Sequence, residues 1–388
     1  MSDVVIIGAG PGGVSAAVCL HDLGIRPLLI DRADHVAASW RGRYDRLKLN
    51  TGRQFSHLPN RPYPKGTPTF PTRDQVVAYL DHHAREDGIA LRLGTSVKRI
   101  DRSSRGWRLT TSAGDIDARQ VVVATGYENS PVVPDWQGKD RFTGELMHSS
   151  AYRNPGPFVD KQVLVVGAGS SAMEIAHDLA TGGAAKVWLA VRTPPNIILR
   201  TLPGGLPGDL MATPLYHFPV RFADAIARAA RRAAIGDLTS FGLPVPNEGI
   251  FSRSARLGRA PAILDIEVID AIKNSAIEVV AAVSALGGGS VTFPTAPCWI
   301  PTSSLLQQAT NEGWNSWSAT SAFSTTAATR VPLLQCLRRR VYSSSAFSPG
   351  LRSSATWASS PSEWRSRSPE SCQLARYSDS STRSGISV

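Results

Sequence analysis

Val4-Val5-Ile6-Ile7-Gly8-Ala9-Gly10-Pro11-Gly12-Gly13 is the stretch that decides the fold. Four apolar residues predict a short buried strand, and glycines follow at once with the spacing G-x-G-x-x-G at Gly8, Gly10 and Gly13. Residues 14–23 then read as a helix, and residues 27–30 as a second strand closed by Asp31. Strand, glycine turn, helix, strand and acid in that order form a Rossmann fingerprint. The first glycine permits the tight turn, the second lets backbone approach a pyrophosphate, and the third lets helix and strand pack closely. The pyrophosphate then sits at a helix N-terminus, where free N–H groups and the dipole favour an anion. Asp31 is placed to accept hydrogen bonds from ribose hydroxyls.

A second copy begins near Lys161. Residues 162–166 predict its strand, Gly167-Ala168-Gly169-Ser170-Ser171-Ala172 its loop, residues 173–181 its helix and residues 186–191 its next strand. Ala172 stands where the third glycine would, a substitution that helix–strand packing accepts. Arg192 ends the second strand where an NAD site would carry an acid. It reads either as a partner for the 2′-phosphate of NADP, through charge-assisted hydrogen bonds, or as a surface arginine. The fold class expected is therefore α/β, with two Rossmann-like dinucleotide-binding domains in series. The stretch Val121-Val122-Val123-Ala124-Thr125-Gly126-Tyr127 predicts the strand and turn that close the first of them.

Composition excludes several other classes. The chain has 388 residues, 42% of them apolar, enough for two medium domains with separate cores. No run of 18 uncharged apolar residues occurs, so no transmembrane helix is expected, and no signal peptide is legible. A soluble cytoplasmic protein is the default expectation. The four cysteines form no C-x-x-C pair, which argues against a zinc ribbon, a dithiol redox centre or a disulfide framework, and no metal site is expected. The net charge of +11 invites a nucleic-acid reading, but the 35 arginines and 7 lysines are spread along the chain, apart from Arg338-Arg339-Arg340, rather than gathered in a patch. Residues 221–235 read as a basic, Ala-rich helix in a variable region of about 202–250. Its apolar face is mostly alanine, which buries little area, so it reads as a solvated helix rather than a membrane-surface element.

Between the two dinucleotide motifs lies Phe142-Thr143-Gly144-Glu145-Leu146-Met147-His148-Ser149-Ser150-Ala151-Tyr152. It resembles the signature F-x-G-x-x-x-H-x-x-x-Y of flavin-containing monooxygenases at every fixed position. Trp40, Tyr44-Asp45-Arg46-Leu47-Lys48-Leu49, Phe55 and Leu58-Pro59 are similar to the plant auxin-synthesising, YUCCA-type branch, as are Phe241-Gly242-Leu243-Pro244 and Pro261-Ala262-Ile263-Leu264-Asp265. The likeness covers roughly residues 2–293. The chain departs from it at Ala37-Ala38, where the family often has two glycines, and at Asn50-Thr51, where it follows the wider family rather than the plant branch.

The resemblance implies FAD in the first domain and NADPH in the second. NADPH would reduce the flavin, a C4a-hydroperoxide would form with O₂, and one oxygen atom would pass to a small organic substrate. That substrate would be a nitrogen or sulfur nucleophile, a ketone or an α-keto acid. Trp40 and the turn Ala124-Thr125-Gly126 would join the glycine loop in holding FAD. Asn50 would act beside the reacting flavin, donating without a titratable proton, or else cap a turn. His148 would help to order the NADP site, or serve as a satisfied structural histidine. A flavin reductase without oxygen insertion stays open, as does a remnant without turnover. A homodimer is possible on this reading, with no nucleic-acid partner.

The chain changes character near residue 294. Residues 294–388 hold 23 serines, no lysine and five of the nine tryptophans, with nine arginines against four acids. Disordered tails are usually poor in Trp, so composition alone does not explain this one. The family's second Ala-Thr-Gly-Tyr is absent from it. Read one base out of register from about Thr295, however, permitted codons restore A-A-T-G-Y opposite residues 306–310, and residues 341–347 can become G-L-F-F-I-G-F. The expectation is an FAD domain over 1–157 lacking its return segment, an NADPH domain over 158–293, and a disordered, out-of-frame tail over 294–388. Without the return segment an unpaired sheet edge is expected.

Overall fold

The computed structural model describes residues 2–86, 88–126, 131–258, 261–294, 296–301, 304–307 and 386–387, the last three stretches by backbone alone. In the first domain β1 (Ser2–Ile7) lies between β2 (Pro27–Ile30) and β6 (Gly114–Val123), parallel to both. β3 (Ala90–Arg92) extends the sheet beyond β2, and β4 (Val97–Ser103) and β5 (Gly106–Thr111) form an antiparallel meander with β6. Successive side chains of β1 point to opposite faces, as the period of two requires. Val4 and Ile6 join the core beneath α1 (Pro11–Asp22) and α4 (Arg73–Ala84), while Val5 and Ile7 pack with Val97, Leu109 and Ile116 on the other face. Ile6, Leu29 and Ile30 are wholly buried, each contributing about 1.5–3 kcal/mol of transfer free energy. Thr72 and Gln75 close a reciprocal capping box at the start of α4. Two single-turn helices, α2 (Ala38–Arg41) and α3 (Arg53–Ser56), lie in the long connection between β2 and α4.

The second domain is built on an all-parallel sheet. β7 (Glu145–His148), β8 (Gln162–Val166), β9 (Lys186–Val191) and β12 (Glu278–Ala281) supply four of its five strands. α5 (Ser170–Thr181) and α9 (Ile266–Lys273) share the main core on one side, a core that also takes in Tyr44 from the first domain. The hairpin β13 (Ala285–Gly287) and β14 (Ser290–Phe293) covers Leu164, Trp188 and Ala190 on the other side. Between β10 (Ile197–Leu199) and its parallel partner β11 (Ala262–Leu264) the chain carries α6 (Gly208–Ala212), α7 (Val220–Ile235) and α8 (Ile250–Leu257). The buried Asp224 of α7 accepts the Phe251 N–H of α8 at 2.7 Å, tying the inserted helices together. Among the described residues no helix is long and apolar enough to cross a membrane.

The stretch after residue 293 departs in part from expectation. β15 (Ala296–Pro301) continues the meander on β14, so the second domain extends past its expected end. β16 (Ser304–Gln307) inserts between β8 and β7, parallel to both, and so completes the second domain's sheet rather than the first domain's, where the unpaired edge was expected. The physical reason is that ladder hydrogen bonds are made by backbone, which any non-proline residue supplies. β17 (Ile386–Ser387) pairs with β4. The restored motif beyond Gln307, residues 341–347 and Tyr127 lie outside the described residues.

Candidate functional site

The first glycine loop is folded as its residue types demand. Gly8 holds φ +107, and a Cβ there would come within 2.5 Å of the Ala124 carbonyl oxygen. The turn Ala124-Thr125-Gly126 thus closes against the loop, bringing two motifs of the first domain together. A Cβ on Gly13 would lie 1.7 Å from the Gly8 oxygen, so helix and strand meet at backbone distance. At Gly10 and Gly12 the opposite holds: a Cβ would meet nothing within 4 Å. No side chain caps α1, so its first N–H groups face that open space. Asp31 accepts the Ala9 N–H at 2.6 Å and the Ala33 N–H at 2.9 Å, which fixes its carboxylate beside the loop. α2 is docked on the same loop, because the Ala37 N–H donates to the Ala9 carbonyl at 2.9 Å. Ala37 adopts the left-handed region at φ +57, the conformation that explains a family preference for glycine there. Trp40 packs on the core under this loop.

The second loop follows the same plan. Gly167 holds φ +135, and Gly169 precedes α5 in extended conformation without a side-chain cap. Ala172 is wholly buried, as helix–strand contact requires. The Ser170 hydroxyl accepts the Ile263 N–H at 2.8 Å, which joins β11 to the start of α5. Arg192 is exposed just past the end of β9, the place expected for a 2′-phosphate partner.

The intervening signature is structural in its bonding. His148 accepts the Ser150 N–H on Nδ1 at 3.1 Å and caps the turn at residues 149–151. Burial, aided by the Arg43 charge, holds its imidazole below the usual range. Tyr152 is 1% exposed and donates to the Asp178 carboxylate of α5 at 2.7 Å. That carboxylate also meets Arg46 of the first domain at 3.3 Å.

Asn50 lies at the junction of the domains. Its Oδ1 accepts from Arg200 Nη2 at 3.1 Å, across 150 residues of sequence, rather than capping a local turn. An arginine only donates, so this bond sets the amide with Oδ1 toward Arg200 and turns the donor Nδ2 away from it. Two residues on, the Gly52 N–H donates to the buried Asp209 carboxylate of α6 at 2.6 Å. Groups of the second domain therefore hold the 50–52 loop at both ends.

Arg200 is the hub of this junction and was not singled out from sequence. It is 2% exposed and is paired with Glu174 through Nη2 and with Asp265 through Nη1 at 2.5 Å. Glu174 also accepts the Tyr44 hydroxyl at 2.5 Å. Burial pushes the Glu174 carboxyl up, against the pull of Arg200 and Tyr44. A cavity of about 580 Å³ opens beside this cluster, lined among others by Arg46, Lys48, His177, Arg200 and Glu267. An isolated arginine after Ile197-Ile198-Leu199 carries no local pattern that would reveal it. Asp265 and Tyr44 were visible only within stretches of family likeness.

Comparison with known proteins agrees with this arrangement. The profile of the pyridine nucleotide-disulphide oxidoreductases matches residues 5–197. The chain is 38% identical over 293 residues to the indole-3-pyruvate monooxygenase YUCCA1 of Oryza sativa subsp. japonica, covering 74% of this chain and 72% of that protein. It is 34% identical to the probable indole-3-pyruvate monooxygenase YUCCA10 of Arabidopsis thaliana, covering 75% of this chain and 76% of that one. Among solved structures, the flavin-containing monooxygenase of Stenotrophomonas maltophilia superposes with a TM-score of 0.60 at 20% identity, over 80% of this chain and 78% of that one. An oxidised steroid monooxygenase bound to NADP superposes at 0.62 and 20% identity, over 79% and 70%. At these identities the structures establish the fold.

Proposed function

Because the chain belongs to the flavin-containing monooxygenase family, we propose that it binds FAD in its first domain and NADPH in its second, and uses O₂ to insert one oxygen atom into a small organic substrate. The observation that carries this reading is the bond between Asn50 of the first domain and the buried Arg200 of the second. It places a fixed amide donor at the junction of two dinucleotide folds.

The residues present fit both groups. The open space outside Gly10 and Gly12, at the uncapped start of α1, suits a pyrophosphate. Asp31 would accept ribose hydroxyls with the lone pairs its two backbone bonds leave over. The start of α5, with Gly169 and Ser171, would hold the second pyrophosphate, and Arg192 would meet the 2′-phosphate. When bound, a reduced flavin supplies electrons to O₂, chemistry that no side chain of the protein offers. The protein supplies orientation. Arg200 holds the Asn50 amide, so Nδ2 can donate a hydrogen bond at the reacting centre without losing a proton there. Tyr152, Asp178 and Arg46 hold the domains in register for the same purpose.

The substrate class is a nitrogen or sulfur nucleophile or a carbonyl compound, including an α-keto acid such as the indole-3-pyruvate named for the plant relatives. The test is the purified chain's bound-flavin spectrum, with NADPH consumption and ¹⁸O incorporation from ¹⁸O₂ into a thioether, an amine and an α-keto acid. Labelled product matching NADPH consumed is expected. NADPH oxidation that yields only hydrogen peroxide with every compound points instead to a reductase, and absence of flavin points to a remnant without turnover.

A further inference from the structure

The sequence reads α7 as a solvated, alanine-rich helix, but the structure shows which way its larger apolar residues face. Ala223, Asp224 and Ile235 are buried and mark the side turned to the protein. At 100° per residue, Phe222, Ala225, Ile226, Ala229 and Ala233 form one stripe on the opposite side. All five are exposed, Phe222 at 52% and Ile226 at 38%. The chain leading into the helix adds exposed Leu210, Met211 and Phe218, at 45–51%. The rings of Phe218 and Phe222 pack tilted against each other with centroids 5.6 Å apart, so the aromatic end of the stripe is preassembled.

Charge is sorted around the same stripe. Arg221, Arg228 and Arg232 are exposed and, at spacings of seven and four, lie along one edge of it. Residues 203–236 contain only two acids, Asp209 and Asp224. Both are buried, Asp209 bonded to the Gly52 N–H and Asp224 to backbone and hydroxyl groups of α8. The outward face of α7 is therefore apolar and cationic, and one exposed carboxylate, Asp237, follows directly after the helix on the side of Arg231 and Arg232.

We propose that α7 docks the enzyme on an anionic lipid surface, with the Phe222–Ile226 stripe at the headgroup boundary and Arg221, Arg228 and Arg232 on lipid phosphates and carboxylates. An amphipathic helix lying in the interface needs this combination of an outward apolar stripe and flanking cations. A second copy of the chain is a poorer occupant. A two-fold contact would set three arginines and the single Asp237 against the same set, a net like charge on both sides, which is repulsive. The proposal does not depend on the monooxygenase reading, since it needs only the folded second domain.

Flotation of the full-length chain with vesicles tests it. Phosphatidylcholine vesicles with 30% phosphatidylserine should carry the protein up the gradient, and phosphatidylcholine vesicles alone should carry far less. Near an anionic surface each arginine is worth roughly a fivefold change in partitioning, so the triple variant R221Q/R228Q/R232Q should bind the mixed vesicles about 100-fold more weakly. The variant F222S/I226S should lose binding while its circular dichroism spectrum and melting temperature stay unchanged, because both side chains face outward. Equal binding to both vesicle types, or no binding to either, overturns the proposal. So does a dimer in sedimentation that F222S/I226S dissolves, since a second copy then covers the stripe.

Discussion

Arg200→Met is the perturbation that best separates the junction described here from an ordinary surface ion pair. The guanidinium is 2% exposed and touches two carboxylates and the Asn50 amide. Methionine fills much the same volume but leaves Glu174, itself 12% exposed, without its cation. Removing one partner of a buried pair destabilises by about 3–5 kcal/mol, because the remaining charge is stranded. An exposed pair would be worth about 0–1 kcal/mol. For a domain of this size that difference corresponds to a fall in melting temperature of roughly 6–20 °C rather than one or two.

The pH dependence carries a sign of its own. Burial raises the Glu174 carboxyl in the folded protein, and in Arg200→Met the opposing pull of the cation is gone. The folded state then holds the Glu174 proton to higher pH than the unfolded chain does. Stability is kept below the ordinary glutamate value and lost as pH rises through the folded value. The variant should therefore lie closer to the wild type at pH 5 than at pH 8. Adding Glu174→Gln should recover part of the loss at pH 8, because the stranded charge is removed. Thermal unfolding followed by circular dichroism at both pH values measures all of this. A fall of under 3 °C for Arg200→Met at pH 8, or a double variant no more stable than the single one, would refute the reasoning.

Gly13→Ala should abolish flavin retention and lower stability, since its Cβ would fall 1.7 Å from the Gly8 oxygen, whereas Gly10→Ala should fold normally and lose flavin affinity alone; absorbance of bound flavin and a melting curve on each variant decide this. Arg192→Ala should reduce kcat/KM for NADPH by about tenfold or more and leave that for NADH nearly unchanged, as expected when a charge-assisted phosphate contact is removed. Tyr152→Phe leaves one oxygen of the buried Asp178 short of a donor and should cost about 1–3 kcal/mol, read as a lower melting temperature. Resequencing the gene across the codons for residues 284–300 separates the two origins of an out-of-frame tail: one base missing or extra relative to this sequence restores the family's reading frame, and an unchanged sequence makes the tail a natural frameshift product.

The parts of the fold legible from sequence are those that local backbone geometry dictates. Gly8 and Gly13 are readable because no other residue fits their turns, and the structure shows a carbonyl oxygen where each Cβ would stand. The strands around them are readable because they are apolar on both faces, as a covered parallel sheet requires. Asn50 could be named but not explained, because what fixes it comes from 150 residues away. Arg200, Glu174 and Asp209 were missed for the same reason. Each is a single polar residue in an apolar or unpatterned stretch, and only the closure of the two domains shows that these groups hold one loop. The direction of the α7 stripe was hidden too, since composition reports how many alanines a helix has but not which side faces the core.

β16 shows where the limit of such reading lies. Leu305 pairs with Leu164 of β8 and with Leu146 of β7, so the strand sits inside the sheet rather than at its rim. A gap between two parallel strands presents two rows of unpaired N–H and C=O groups, and buried groups of this kind are costly to leave unmade. Any short non-proline segment arriving from β15 can meet that demand with backbone alone. Side-chain spacing, the signal used to judge the tail, does not bear on it. The same slot would accept the restored A-A-T-G-Y register with apolar residues in place of Ser304 and Gln307. The sheet therefore asks for a strand at this position whichever frame the gene carries, and the identity of its side chains decides how well the neighbouring core is filled.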